Sequence, residues 1–169
     1  SARYGRAIYP ADWKGVFTVN LDRFYPIFDH PDWLERMLPL GVKLVQMRIK
    51  DLPADETRAA LQRSKRLCDA VGVIMVVNDF WEMAIDLDCD WIHLGQEDLD
   101  DADMAAIRRA GFKIGISTHD EDELERALAE QPEALCNHAF EGAAAGDYCI
   151  SLTLPGKLAV VLVVLSTPL

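Results

Sequence analysis

The run Val42-Lys43-Leu44-Val45-Gln46-Met47-Arg48-Ile49-Lys50 has the apolar, β-branched character of a strand, yet it carries polar groups in a row along one side. With a period of two, Val42, Leu44, Gln46, Arg48 and Lys50 share one face, and Val45, Met47 and Ile49 share the other. A strand in an open sheet, covered by helices on both faces, would have to bury Gln, Arg and Lys in succession. In a barrel the same face begins in a packed interior and ends at the C-terminal mouth, where active sites lie. The segment therefore favours a (β/α) barrel over a doubly wound open sheet.

On either side of this segment, short strand-like runs alternate with helical ones, the pattern of βα units around a parallel sheet. Strands are expected at Phe24 to Asp29, Val42 to Lys50, Val73 to Asn78, Trp91 to Gly95 and Lys113 to Ser117. Helices are expected at Asp32 to Pro39, Ala54 to Val71, Phe80 to Leu87, Asp101 to Ala110 and Asp120 to Glu130. Gly41, Gly72 and Gly111 follow helices as C-terminal caps, Pro53 suits a first helical turn, and Thr118 with Glu121 has capping-box spacing. Trp33, Trp81, Met37 and Met83 fall on helices and read as packing residues.

The composition narrows the function. Twenty-eight acids against seventeen bases give a net charge of −11 over 169 residues, which speaks against a phosphate-backbone binder and so against nucleic acid. The longest apolar run, Leu158 to Leu165, is far shorter than the ~20 residues of a membrane span, and Ser1 to Pro10, with Arg3 and Arg6 but no apolar h-region, does not read as a signal peptide. Cys68, Cys89, Cys136 and Cys149 match no zinc or redox spacing and read as small apolar residues of a reducing, cytoplasmic setting.

Each expected strand ends in polar residues: Asn78 and Asp79, then Gly95 to Asp98, then Ser117 to His119. Taken one at a time, Asp79, Asp98, Ser117 and Thr118 are explained as helix N-caps. Gathered at one mouth with Arg48 and Lys50, they make a set with two cations, two carboxylates and several neutral hydrogen-bonding groups. That set suits a diphosphate held with Mg²⁺, which binds through one or two carboxylates plus substrate phosphate oxygens. His93, flanked by Ile92 and Leu94, reads as a satisfied core histidine, and His119 as a loop or capping residue.

The segments Gln46-Met47-Arg48-Ile49-Lys50-Asp51, Val77-Asn78-Asp79, His93-Leu94-Gly95-Gln96-Glu97-Asp98-Leu99 and Gly115-Ile116-Ser117-Thr118-His119 resemble, in order and spacing, the signatures of thiamine phosphate synthases. The resemblance implies a TIM-type barrel and a transferase that condenses hydroxymethylpyrimidine diphosphate with thiazole phosphate and releases diphosphate. It implies that Arg48 and Lys50 act in catalysis, that Gln46, Arg48, Lys50, Asn78 and Ser117 bind the pyrimidine diphosphate, and that Asp79 and Asp98 hold Mg²⁺.

The resemblance covers a single domain's βα units from Phe24 to Gln131, and a divergent tail follows from Pro132 to Leu169. The tail lacks the Gly-Pro loop, the Thr-x-Thr-Lys segment and the glycine-rich strand end of the family, and no role passes to Thr153 or Lys157. The abrupt loss of pattern points to a replaced C-terminus and to a barrel incomplete there, with room for two strands rather than three βα units. Open barrel edges favour self-association. The alternatives are a thiazole tautomerase-like protein of the same superfamily, which has no need of metal-binding carboxylates, and a catalytically silent binding protein.

Overall fold

The computed structural model describes Asp22 and residues 24–137, 150–153 and 158–164. Eight strands close into a barrel in sequence order: β1 (Phe24–Phe28), β2 (Leu44–Met47), β3 (Ile74–Asn78), β4 (Trp91–Leu94), β5 (Lys113–Thr118), β6 (Ala134–Asn137), β7 (Ile150–Thr153) and β8 (Leu158–Val164). Strands β1 to β6 run parallel, β7 runs antiparallel to both neighbours, and β8 pairs in parallel with β1. The chain is thus the expected TIM-type α/β barrel, and its departure takes a specific form. The expected incompleteness is corrected: the tail contributes three strands, β6, β7 and β8, rather than two, and because β7 runs antiparallel between β6 and β8 the ring closes and leaves no open edge among the described strands.

Helices α1 (Asp32–Met37), α2 (Ala54–Asp69), α3 (Trp81–Asp86), α4 (Gln96–Asp101), α5 (Met104–Arg109) and α6 (Glu121–Ala129) return the chain between the parallel strands, with a 3-10 turn at Leu38–Leu40. Gly41, Gly72 and Gly111 have φ of +90°, +69° and +82°, the left-handed conformation that lets a helix end without a Cβ penalty. Two local expectations are corrected. Residues 96–101 form a separate helix, α4, before α5. The N-cap of α6 is Asp120 rather than Thr118: Asp120 Oδ1 accepts the Glu123 N–H at 2.8 Å. Thr118 is the buried last residue of β5 and belongs to the sheet. His119 takes the capping place foreseen for it, its N–H donating to Glu123 Oε2 at 2.6 Å.

Alternation along the strands sorts side chains into two layers. The outer layer, between sheet and helices, holds Phe28, Val45, Met47, Val77, Ile92, Leu94, Ile114 and Ile116 together with Leu34, Leu61 and Ile107 from the helices. Each buried aliphatic side chain there contributes about 1.5–3 kcal/mol of transfer free energy. Val42, placed by period two with Leu44, joins this outer layer, because the chain becomes extended only at Leu44. Trp33, Trp81, Met37 and Met83 pack against the same layer. Cys68 and Cys89 are free and buried in it, and burial pushes their thiols up to about 12 and about 11. Cys149, Lys157 and the stretch 142–146 lie outside the described residues. No helix among the described residues is long and apolar enough to cross a membrane.

Candidate functional site

The inner layer is more polar. Gln46, only 2% exposed, donates from Nε2 to the Tyr25 hydroxyl at 2.9 Å, so its amide is satisfied inside the barrel. Asn78 is buried at the end of β3, beside His93 in the strand register. His93 in turn lies opposite Gly115, and its Nε2 stands 2.7 Å from Ser117 Oγ, a hydrogen bond whose direction the imidazole tautomer sets. His93 is thus a buried and satisfied histidine as expected, but the group that it engages is one of the candidate site residues.

Above this layer the chain turns sharply at Asp79. The Asp79 N–H still donates to the His93 carbonyl at 3.0 Å, as a last rung of the sheet. The Phe80 N–H then donates back to the Asn78 carbonyl at 2.9 Å, and the Trp81 N–H to the Asp79 carbonyl at 2.7 Å. The first of these closes a three-residue turn centred on Asp79 at φ +70°, a rare and strained conformation that Asp tolerates better than most residues. The consequence is that Asp79 leaves the strand without becoming the N-cap of α3, whose flanking residue is Phe80.

Asp98 approaches from the neighbouring unit. It stands in the first turn of α4 and accepts the Gly95 N–H through Oδ2 at 3.1 Å, so its capping contact reaches back to the strand end. The Asp79 carboxyl is raised to about 6: burial is the largest cause, and next comes Asp98, acting as a nearby like charge and hydrogen-bonding group. Lys50 and Arg48 oppose this shift. Both cations are exposed, just past the end of β2, while Asp79 and Asp98 are half-buried. Arg48, Lys50, Asp79 and Asp98 therefore share one electrostatic neighbourhood at the C-terminal end of the barrel, with Gln46 and Asn78 below it and Ser117 across β4.

Of the capping explanations, only that for Asp98 has a counterpart in the structure. Among the described residues no group of three or more His, Cys, Asp and Glu side chains is assembled for a metal ion. The acidic pair by itself is a donor set for a hard cation, which would complete its shell with ligand and water oxygens. Gln96 and Gly115, to which the sequence alone assigned no role, also belong to the site. Gln96 Nε2 donates to the Ser117 carbonyl at 2.7 Å, and a Cβ on Gly115 would stand 2.7 Å from His93 Nδ1. The available signal was the glycine itself, inside a strand, where it marks a close approach.

Fold and site together define a TIM-type α/β barrel with a polar site, cationic on one side and acidic on the other, at the C-terminal ends of its parallel strands. The sequence profile described as "Thiamine monophosphate synthase" matches residues 24–141, and the chain belongs to that family. The thiamine-phosphate synthase of Rhizobium etli is 57% identical over 115 residues, covering 68% of this chain and 56% of that protein. The thiamine-phosphate synthase of Serratia proteamaculans is 42% identical over 117 residues, covering 69% and 55%. The chain thus spans about half the length of the curated relatives it matches. A solved structure, the thiamine phosphate pyrophosphorylase from Pyrococcus furiosus, shares the fold with a TM-score of 0.60 at 23% identity, covering 68% of this chain and 58% of that one.

Proposed function

We infer that the mouth of the barrel binds hydroxymethylpyrimidine diphosphate and serves its condensation with thiazole phosphate to thiamine phosphate. The observation that carries this is the meeting of a half-buried carboxylate pair, Asp79 and Asp98, with Lys50 and Arg48 at the strand ends. Asp98 opposes the ionisation of Asp79, a cation beside the pair would relieve this, and the two basic groups gain from an anion. A metal-bound diphosphate meets both needs.

In the transfer, the bond between the pyrimidine methylene carbon and the diphosphate oxygen breaks, and its electron pair leaves with the diphosphate. The thiazole nitrogen then gives its lone pair to that carbon, and the new C–N bond leaves the ring nitrogen quaternary. No proton moves in this sequence. Arg48 and Lys50 bind the departing anion and stabilise the charge that develops on it, the effect that dominates such reactions. Gln46, Asn78 and Ser117 orient the pyrimidine diphosphate. Asp79 and Asp98 would hold Mg²⁺, which neutralises diphosphate oxygens when bound.

The paired carboxylates favour the synthase over a tautomerase, which has no use for them. The partners are the two small phosphorylated heterocycles, and the setting is the cytoplasm. Calorimetry of the chain with hydroxymethylpyrimidine diphosphate, with and without Mg²⁺, tests the proposal. Metal-dependent binding is expected, and binding indifferent to the metal, or none, would overturn it. Turnover with both substrates then separates the synthase from a silent binding protein.

A further inference from the structure

Ser117 is gripped from β4 and from the first residue of α4. The imidazole of His93, 5% exposed, crosses from β4 to the hydroxyl at 2.7 Å, and Gln96 Nε2 holds the backbone carbonyl at the same distance. The ring gets there by lying over Gly115, its partner in the strand register, where an added Cβ would stand 2.7 Å from Nδ1. A buried imidazole needs such partners, because an unsatisfied polar ring in a core is costly. Core packing alone, however, asks neither for a glycine beneath the ring nor for two contacts on one half-buried serine at the mouth.

We propose that His93 is the positioning residue for Ser117: its Nε2–H donates to Ser117 Oγ and turns the hydroxyl hydrogen toward the mouth, as a donor to anionic oxygens of the ligand. With the opposite tautomer the serine would spend its hydrogen on the ring and present only lone pairs to an anion. Gly115 supplies the space that makes this geometry reachable, and Gln96 fixes the backbone from which the hydroxyl swings. The ligand in this proposal rests on the reading of the mouth as a diphosphate site.

The test has two arms on the full chain. Nitrogen-15 NMR of the imidazoles is expected to show His93 neutral with Nε2 protonated, and its signal displaced by Ser117→Ala and by Gly115→Ala. An Nδ1-protonated ring, or a signal indifferent to Ser117→Ala, overturns the proposal. Titration with hydroxymethylpyrimidine diphosphate and Mg²⁺ is expected to show roughly tenfold weaker binding for Ser117→Ala and for His93→Leu, with no further loss in the double variant. Gly115→Ala should weaken binding about as much when Ser117 is present, and not at all in the Ser117→Ala background. His93→Gln, which keeps an N–H donor, should recover part of the loss. Additive losses would mean that His93 acts apart from Ser117 and would overturn the proposal. If His93→Leu fails to fold, Gly115→Ala carries the same comparison. If the unsubstituted chain binds no diphosphate, the ligand assignment falls, and the NMR arm alone upholds or overturns the His93–Ser117 pairing.

Discussion

The outer layer of the barrel and its mouth are built from the same strands and answer to opposite requirements. On β4, Ile92 and Leu94 point outward and are fully buried in apolar contacts, while His93 between them reaches Ser117 inside the barrel. The outer layer gathers groups that gain by leaving water. The mouth gathers groups that do not: Asp79 is half-buried beside another carboxylate, on a backbone turn at φ +70°. Stability is thus concentrated on one side of each strand, and the unfavourable placement that a ligand could relieve is on the other. Alternation along a strand lets neighbouring residues serve these two ends with little interference.

Substitutions should separate the two regions. The largest effect is expected from Ile92→Ala, a cavity in the outer layer that should cost about 2–5 kcal/mol in denaturant unfolding, while the folded fraction keeps its affinity for the diphosphate. Asp98→Asn should do the reverse. Asn still accepts the Gly95 N–H, so the melting temperature should hold, while Mg²⁺-dependent binding in calorimetry falls roughly tenfold or more. Unchanged binding would reduce Asp98 to a cap. Lys50→Met should weaken diphosphate binding by several-fold at unchanged stability, and high salt should shrink the difference, because Lys50 is exposed.

A smaller and opposite effect is expected from Asp79→Asn. Removing one of two adjacent carboxylates, with a residue that also tolerates positive φ, should raise the stability of the metal-free chain by about 1 kcal/mol. A fall in melting temperature would show that Asp79 stabilises the fold, and the contrast between the two regions would break. The faintest signal should come from the outer-layer thiols. Burial holds Cys68 and Cys89 far above neutral pH in pKa, so in a Cys136→Ser/Cys149→Ser background neither should react with a thiol reagent until the protein unfolds.

The elements legible in advance were those whose signal is local. Strands β1 to β5 and helices α1, α2, α3, α5 and α6 fall within a few residues of their expected spans, since hydrophobic period and glycine caps act over short distances. Helix α4 was missed because its six residues, Gln96 to Asp101, hold a single buried apolar side chain, Leu99, and so show no period. The gathering of Arg48, Lys50, Asp79 and Asp98 followed from the parallel topology, which sends every strand end to the same side. The strained turn at Asp79 had no such signal, because three backbone contacts fix it, one of them to the His93 carbonyl fourteen residues on. The contacts of His93 and Gln96 with Ser117 were equally hidden, as they span 24 and 21 residues.

By itself the sequence determined the barrel class, the family and the set of polar residues at the strand ends, because periodicity and motif order are written in neighbouring residues. Tertiary structure alone decided how the last strands complete the ring. In β6 to β8, direction is set by which free edge each strand can pair with, and the antiparallel β7 joins β6 to β8 so that β8 can meet β1. It decided also which carboxylate bears the strain of the site, since burial and like charge depend on distances that no single stretch of chain contains.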